Sequence, residues 1–369
     1  MRFSRADKSR LTEWWFTADF VALTAILMLV GIGLVLSLAA SPSVALRAGL
    51  TAYHFVSHHA VYAGVGVVIL ISVSLLTPRG VRRLSLAILA ASLAGLVYVH
   101  LYGVEINGAR RWLSFAGYSL QPSEFAKPAF AVVSAWLLAE ARDRPGMPAL
   151  PIAIVLVIAL AGLLVSQPDV GQTLLVLSVW TVLFVASGQP LQRALAIAAV
   201  SAAGLFGAYH AFSHVSFRID RFFNPLPGDL SQVDRAMQSF AQGGFLGRGP
   251  GEGVIKTVLP DAHTDFIFAV VAEEYGILAC LGLLLLFAFI VFRLMLRAAQ
   301  EPDAAIRLGV VGLALLFGLQ ALINMGVNVG LLPAKGMTLP FISAGGSSML
   351  AISLTLGMAL ALARRRPGG

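Results

Sequence analysis

Ten apolar runs, each of a length suited to crossing about 30 Å of hydrocarbon (roughly 20 residues), constrain this chain more than any other feature. They cover about residues 18–40, 60–77, 84–104, 122–140, 150–166, 171–187, 191–212, 264–292, 308–330 and 345–363. In lipid a backbone must satisfy its own hydrogen bonds, so such runs are read as helices. The expectation is an all-α polytopic membrane protein with ten transmembrane helices. Between the short fifth and sixth runs lies only Gln167-Pro168-Asp169, which suits a tight hairpin: Pro168 ends one helix and Asp169 caps the next.

Composition excludes a water-soluble globule. Of the 369 residues 58% are hydrophobic and 12% charged, with mean hydropathy +0.85, against about 45–50% and about 25% in soluble domains. The net charge of +8 sits in short clusters between apolar runs, which argues for membrane topology and against a nucleic-acid partner. With the N-terminus in the cytoplasm, every short inner link carries Arg: Arg79, Arg82 and Arg83; Arg142 and Arg144; Arg193; Arg293, Arg297 and Arg307. The basic start (Arg2, Arg5, Lys8, Arg10) and the tail Arg364 to Arg366 complete the pattern. Both termini are then cytoplasmic in one integral domain, 1–369. Residues 1–17 form the inner N-terminal segment, 213–262 the one large periplasmic loop between helices 7 and 8, and 364–369 the tail. The first apolar run is too long for a cleaved signal. The lone Cys280 excludes an internal disulfide or a multi-thiolate metal site.

Ionisable groups in or beside spans are costly and mark candidate sites. Asp265 opens the eighth run beside His263 and Thr264. It is read either as a helix cap or, with Thr264 capping instead, as a general base at the outer face. Glu273 and Glu274 lie deeper and on different sides of the helix, which suggests interior hydrogen-bonding partners. Glu124 and Lys127, three apart at the start of the fourth run, are either a structural ion pair or a phosphate site. Arg110, Arg111 and Trp112 suit interfacial anchoring or a lipid-linked pyrophosphate. Gln320, Asn324 and Asn328 form a polar stripe at i, i+4, i+8, suited to bonding between helices or to a ligand groove. The 332–348 segment, with its Pro and Gly residues, resembles a re-entrant loop. Residues 105–121 are too long for a simple hairpin, and Ser231 to Asp234 reads as a capping box opening a helix to about Gln242, ahead of the glycine-rich stretch 243–253. His54, His58 and His59 lack carboxylate or thiol companions for a metal, and no glycine pattern fits a nucleotide-binding loop.

Four segments taken together resemble the shape, elongation, division and sporulation (SEDS) family. They are Asn107-Gly-Ala-Arg-Arg-Trp112 with Gln121-Pro-Ser-Glu-Phe-Ala-Lys127; Gln167-Pro-Asp-Val-Gly171; the run from Leu259 through Asp265 to Glu274; and the run from Leu332 to Ser348. The likeness covers about residues 15–363, in order. Lys335 to Pro340 and Asp261-Ala-His263 favour the division type over the elongation type, while Ala344 stands where the family usually has Tyr. The resemblance implies a peptidoglycan glycosyltransferase that polymerises lipid II, an undecaprenyl-pyrophosphate-linked disaccharide pentapeptide. It implies residence in the bacterial cytoplasmic (inner) membrane at the division septum, with a class B penicillin-binding transpeptidase and other divisome proteins as partners. Asp265 matches the family's proposed catalytic aspartate. Lys127, Glu124, Arg110, Arg111 and Trp112 match its external cavity, with His263, Lys335 and Ser347 as further substrate contacts. No organic cofactor is expected, though a divalent cation (Mg or Mn) would suit the pyrophosphate. An α-linked donor and a β-1,4 product need one inversion, hence a base for the acceptor hydroxyl and positive charge for the leaving group. The rival functions are a lipid II flippase, a recruiting scaffold and the elongation-type polymerase.

Overall fold

The computed structural model describes residues 9–103, 105, 110–115, 118–144, 146–211, 216, 220, 232–259, 261–333 and 336–365. Among these, ten helices coincide with the ten apolar runs: α2 (Phe20–Arg47), α3 (His54–Ser74), α4 (Pro78–Tyr102), α5 (Pro122–Asp143), α6 (Ala149–Ser166), α7 (Val170–Ala186), α8 (Leu191–Ala211), α10 (Ile267–Ala299), α11 (Ala304–Asn328) and α12 (Gly346–Leu362). Six of them, α2, α3, α4, α6, α10 and α11, are long and apolar enough to cross a membrane. Two further helices are short: α1 (Arg10–Thr17) and α9 (Gln232–Gly243), the latter where the capping box predicts one.

The α5, α11 and α12 helices form the buried centre, with α5 against α4 and α11, and α12 against α3. This explains why α5 tolerates Glu124 and Lys127: its surroundings are other helices, not acyl chains. One end of the bundle is tied by ions. Asp19 caps α2 and accepts hydrogen bonds from Arg297 and Arg293 (2.9 Å to the latter). Burial opposes ionisation of Asp19, but those two guanidiniums outweigh it and hold its carboxyl below the usual range.

Three features depart from the sequence expectation. The 105–121 stretch contains a two-stranded antiparallel ribbon, β1 (Leu113–Phe115) and β2 (Tyr118–Leu120), pairing Leu113 with Leu120, so the fold is mostly rather than wholly helical. Part of the inner N-terminal segment is the helix α1, whose Glu13 pairs with Arg364 at 2.9 Å. Lastly, α10 is broken at Gly276, which has φ 79° and ψ 178°. The carbonyls of Glu273 and Glu274 there accept from Arg248 N (2.9 Å) and Gly249 N (3.0 Å) of the glycine-rich strap, while Ile277 N donates to Gly244 O (2.9 Å). Backbone from the strap thus replaces a turn of the helix ladder. Only glycine permits it: a Cβ on Gly247 would lie 2.1 Å from Glu274 O.

Candidate active site

Asp265 lies in the turn 261–266, two residues before α10 begins, not inside the helix as its sequence position suggests. The turn closes through Thr264 N and Phe266 N on Asp261 O (3.0 and 3.2 Å), and the Thr264 hydroxyl donates to the same carbonyl. Neither Thr264 nor Asp265 therefore caps α10. The Oδ1 of Asn328, reaching in from α11, accepts the Ala269 N–H at 3.1 Å instead. The Asp265 carboxylate is released from structural duty: among the described residues nothing donates a hydrogen bond to it. Its Oδ2 faces Gly336, 3.5 Å from where a Cβ would stand. Asp265 is half-buried. Burial, followed by the neighbouring charge of Asp261, pushes its pKa to about 7.

The polar stripe on α11 organises the surroundings. Asn324 Nδ2 and Asn328 Nδ2 each donate to the Asp265 carbonyl at 2.9 Å. Asn324 Nδ2 also reaches Met337 O (2.7 Å), and Gln320 Nε2 reaches Thr338 O (3.2 Å). The irregular 336–345 backbone is thereby satisfied by buried amides, as an irregular segment beside apolar helices requires. Ser343 Oγ accepts Leu339 N at 2.8 Å and donates to Thr264 O, while Ala344 N donates to His263 O at 2.9 Å. Ala344 is thus held by its backbone beside the candidate base.

The same stripe continues to α5. Gln320 Oε1 accepts from Lys127 Nζ at 3.1 Å, and Lys127 donates to Glu124 Oε1 at 3.0 Å. Gln172 Nε2 joins that carboxylate at 2.6 Å. Lys127 and Glu124 are 2% and 4% exposed, so the structure realises the ion pair and gives neither group open access to solvent.

The two neighbouring arginines diverge. Arg111 is pinned to the 167–169 corner, donating to Gln167 O (2.9 Å) and Pro168 O and standing 3.8 Å from Asp169. Asp169 caps α7 through Gln172 N (3.4 Å), as its place after Pro168 predicts. Burial raises the Asp169 pKa, an effect that Arg111 opposes. Arg110 instead is solvent-exposed, 3.7 Å from Glu105. Trp112 is half-buried at the foot of the ribbon. Ser347 joins elements, accepting Gln121 N (3.2 Å) and donating to Ser119 O (3.0 Å). His263 stacks near Phe55 with ring centroids 4.5 Å apart, and burial lowers its pKa. Lys335, like Asn107, lies outside the described residues.

Glu273 and Glu274, expected to point to different sides of one helix, converge on one segment. Glu273 Oε1 accepts from Val254 N and Ile255 N (2.6 and 2.7 Å), and its Oε2 from Lys256 N (3.1 Å). Glu274 accepts from Gly251 N (3.0 Å) and from the Lys256 ammonium. They are interior partners that bind the strap. The signal for this was the pairing of adjacent buried acids with a glycine-rich run of free N–H groups. Among the described residues no three His, Cys, Asp or Glu side chains cluster as a metal would need.

The family model described as "Cell cycle protein", covering FtsW, RodA and SpoVE, matches residues 20–367, and the chain belongs to that family. A relative from Caulobacter vibrioides named "Probable peptidoglycan glycosyltransferase FtsW" is 44% identical over 99% of this chain and 94% of its own. One of the same name from Trichlorobacter lovleyi is 33% identical over 95% and 93%. Among solved structures, a chain from a peptidoglycan synthase complex that coordinates polymerization and crosslinking superposes at TM-score 0.77 with 29% identity, covering 94% of this chain and 97% of that one. The Rod shape determining protein RodA of Thermus thermophilus superposes at 0.68 with 28% identity, covering 95% and 97%.

Proposed function

We propose that this chain polymerises lipid II by inverting transfer with Asp265 as the general base, serving septal wall synthesis. The chain is a peptidoglycan glycosyltransferase by kinship with relatives of that name along nearly its whole length. The observation that carries the role of Asp265 is its carboxylate: unused as a cap, without a hydrogen-bond donor among the described residues and with a pKa near neutrality. A group of this kind can take the proton of an acceptor hydroxyl at physiological pH. Arg110, solvent-exposed beside Glu105, is a cation that can turn to the departing pyrophosphate. Lys127 and Arg111 add positive field from within their ion pairs and, with Glu124, Trp112, His263, Lys335 and Ser347, shape the headgroup site. A divalent ion would arrive with the pyrophosphate.

Ten spans with both termini cytoplasmic fit this reading. The Asp19, Arg293, Arg297 and Arg364 cluster then faces the cytoplasm, and Asp265 lies at the periplasmic end. A class B penicillin-binding transpeptidase is the proposed partner, consistent with the likeness to a synthase complex. Collection of the candidate groups at one end favours polymerisation over a carrier, which needs a site reachable from both sides.

The test is polymerisation of labelled lipid II by the purified chain in detergent, where no second compartment exists. Asp265→Asn is expected to abolish glycan products while melting like the parent. Retained polymerisation in that variant refutes the base.

A further inference from the structure

Among the described residues no hydrogen bond reaches the Asp265 carboxylate, so what they supply to orient it is the hold on its backbone and the packing of its turn. That backbone is held from another helix. Asn328 is wholly buried, and its amide has every group occupied: Nδ2 donates to Asp265 O and to Asn324 O, each at 2.9 Å, while Oδ1 accepts from Ala269 N at 3.1 Å. It bridges the turn before α10 to the first turn of α10. Asn324, one helical turn earlier and 2% exposed, repeats the contact to Asp265 O and adds Met337 O, locking the loop that carries Gly336.

We propose that Asn328, seconded by Asn324, is the positioning residue for the base: it clamps the Asp265 carbonyl so that the carboxylate is presented at Gly336 instead of folding back to cap α10. An amide suits this task. It supplies both the donor and the acceptor, and brings no charge beside a carboxylate that must gain and lose a proton. Catalytic groups need such fixing to a fraction of an ångström, and misplacement of about 1 Å can cost two orders of magnitude in rate. The stripe Gln320, Asn324, Asn328 thereby acts as one spine, with the base at one end and Lys127 at the other.

The inference rests on Asp265 being the base, so Asp265→Asn is assayed in parallel: its activity judges the base, and the asparagine variants judge the clamp. Asn328→Ala and Asn324→Ala are purified in full-length form, checked by thermal melting, and assayed for lipid II polymerisation across pH. Expected is a kcat loss of about tenfold or more at near-parental KM. The midpoint of the acidic limb should also move to lower pH as the loosened turn rehydrates Asp265. Destabilisation alone lowers the active fraction and leaves that midpoint in place. Parental kcat in either folded variant, or a kcat loss with an unmoved midpoint, overturns the proposal.

Discussion

The ammonium of Lys127 stands 3.0 Å from Oε1 of Glu124, one helical turn earlier on α5, and both side chains are almost wholly withdrawn from solvent. Removing one member of such a pair strands the other charge, at a cost of about 3–5 kcal/mol. Lys127→Met or Glu124→Gln alone should therefore melt well below the parent. The double variant should regain much of that stability, because no unpaired charge remains. Polymerisation should stay slow in the double variant, since the ammonium that Gln320 Oε1 and Glu124 hold beside the site is gone. Melting curves and lipid II turnover on the three proteins check both expectations.

The pH dependence follows from Asp265. With its pKa pushed to about 7, the carboxyl is protonated and idle as a base below that value. The kcat/KM of the free enzyme should rise as pH increases through about 7. Asp261 supplies the charge that adds to the effect of burial. Asp261→Asn should accordingly move the midpoint to lower pH and leave the part due to burial. A pH–rate profile of the two proteins reads the shift directly.

The strap offers a contrast between two glycines. Gly251 has φ 85° but open space around it, so Gly251→Ala costs only the left-handed backbone, about 1–2 kcal/mol. At Gly276, φ is 79° and a Cβ would lie 2.3 Å from Phe245 O. Gly276→Ala must displace the strap as well, and should lower the melting temperature further and expose residues 243–253 to proteolysis. Limited digestion alongside melting separates the two effects.

Much of this was legible in advance. The ten helices follow from apolar runs, since lipid and a helical core impose the same demand on the backbone. The Asp169 cap follows from local hydrogen-bonding chemistry that needs no distant partner, and a helix stands from Gln232 where the sequence pattern calls for one, its capping Ser231 lying outside the described residues. The ribbon at 113–120 was not legible, because three-residue strands carry too little periodicity. Nor was the break at Gly276: it depends on N–H groups of a strap some thirty residues away, and a lone glycine in an apolar run looks like any other.

The candidate site divides along the same line. Residue types and order alone singled out Asp265, Glu124 with Lys127, and the Gln320, Asn324, Asn328 stripe, because ionisable and amide groups in apolar surroundings are rare and costly. Tertiary packing decided what each does. It left Asp265 uncapped by giving the helix start to Asn328, sealed Lys127 against Glu124 and Gln320, and sent Arg111 inward while Arg110 stayed in solvent. The physical reason is that a buried polar group must find its partner wherever the fold brings one, and those partners lie from three to nearly two hundred residues away along the chain.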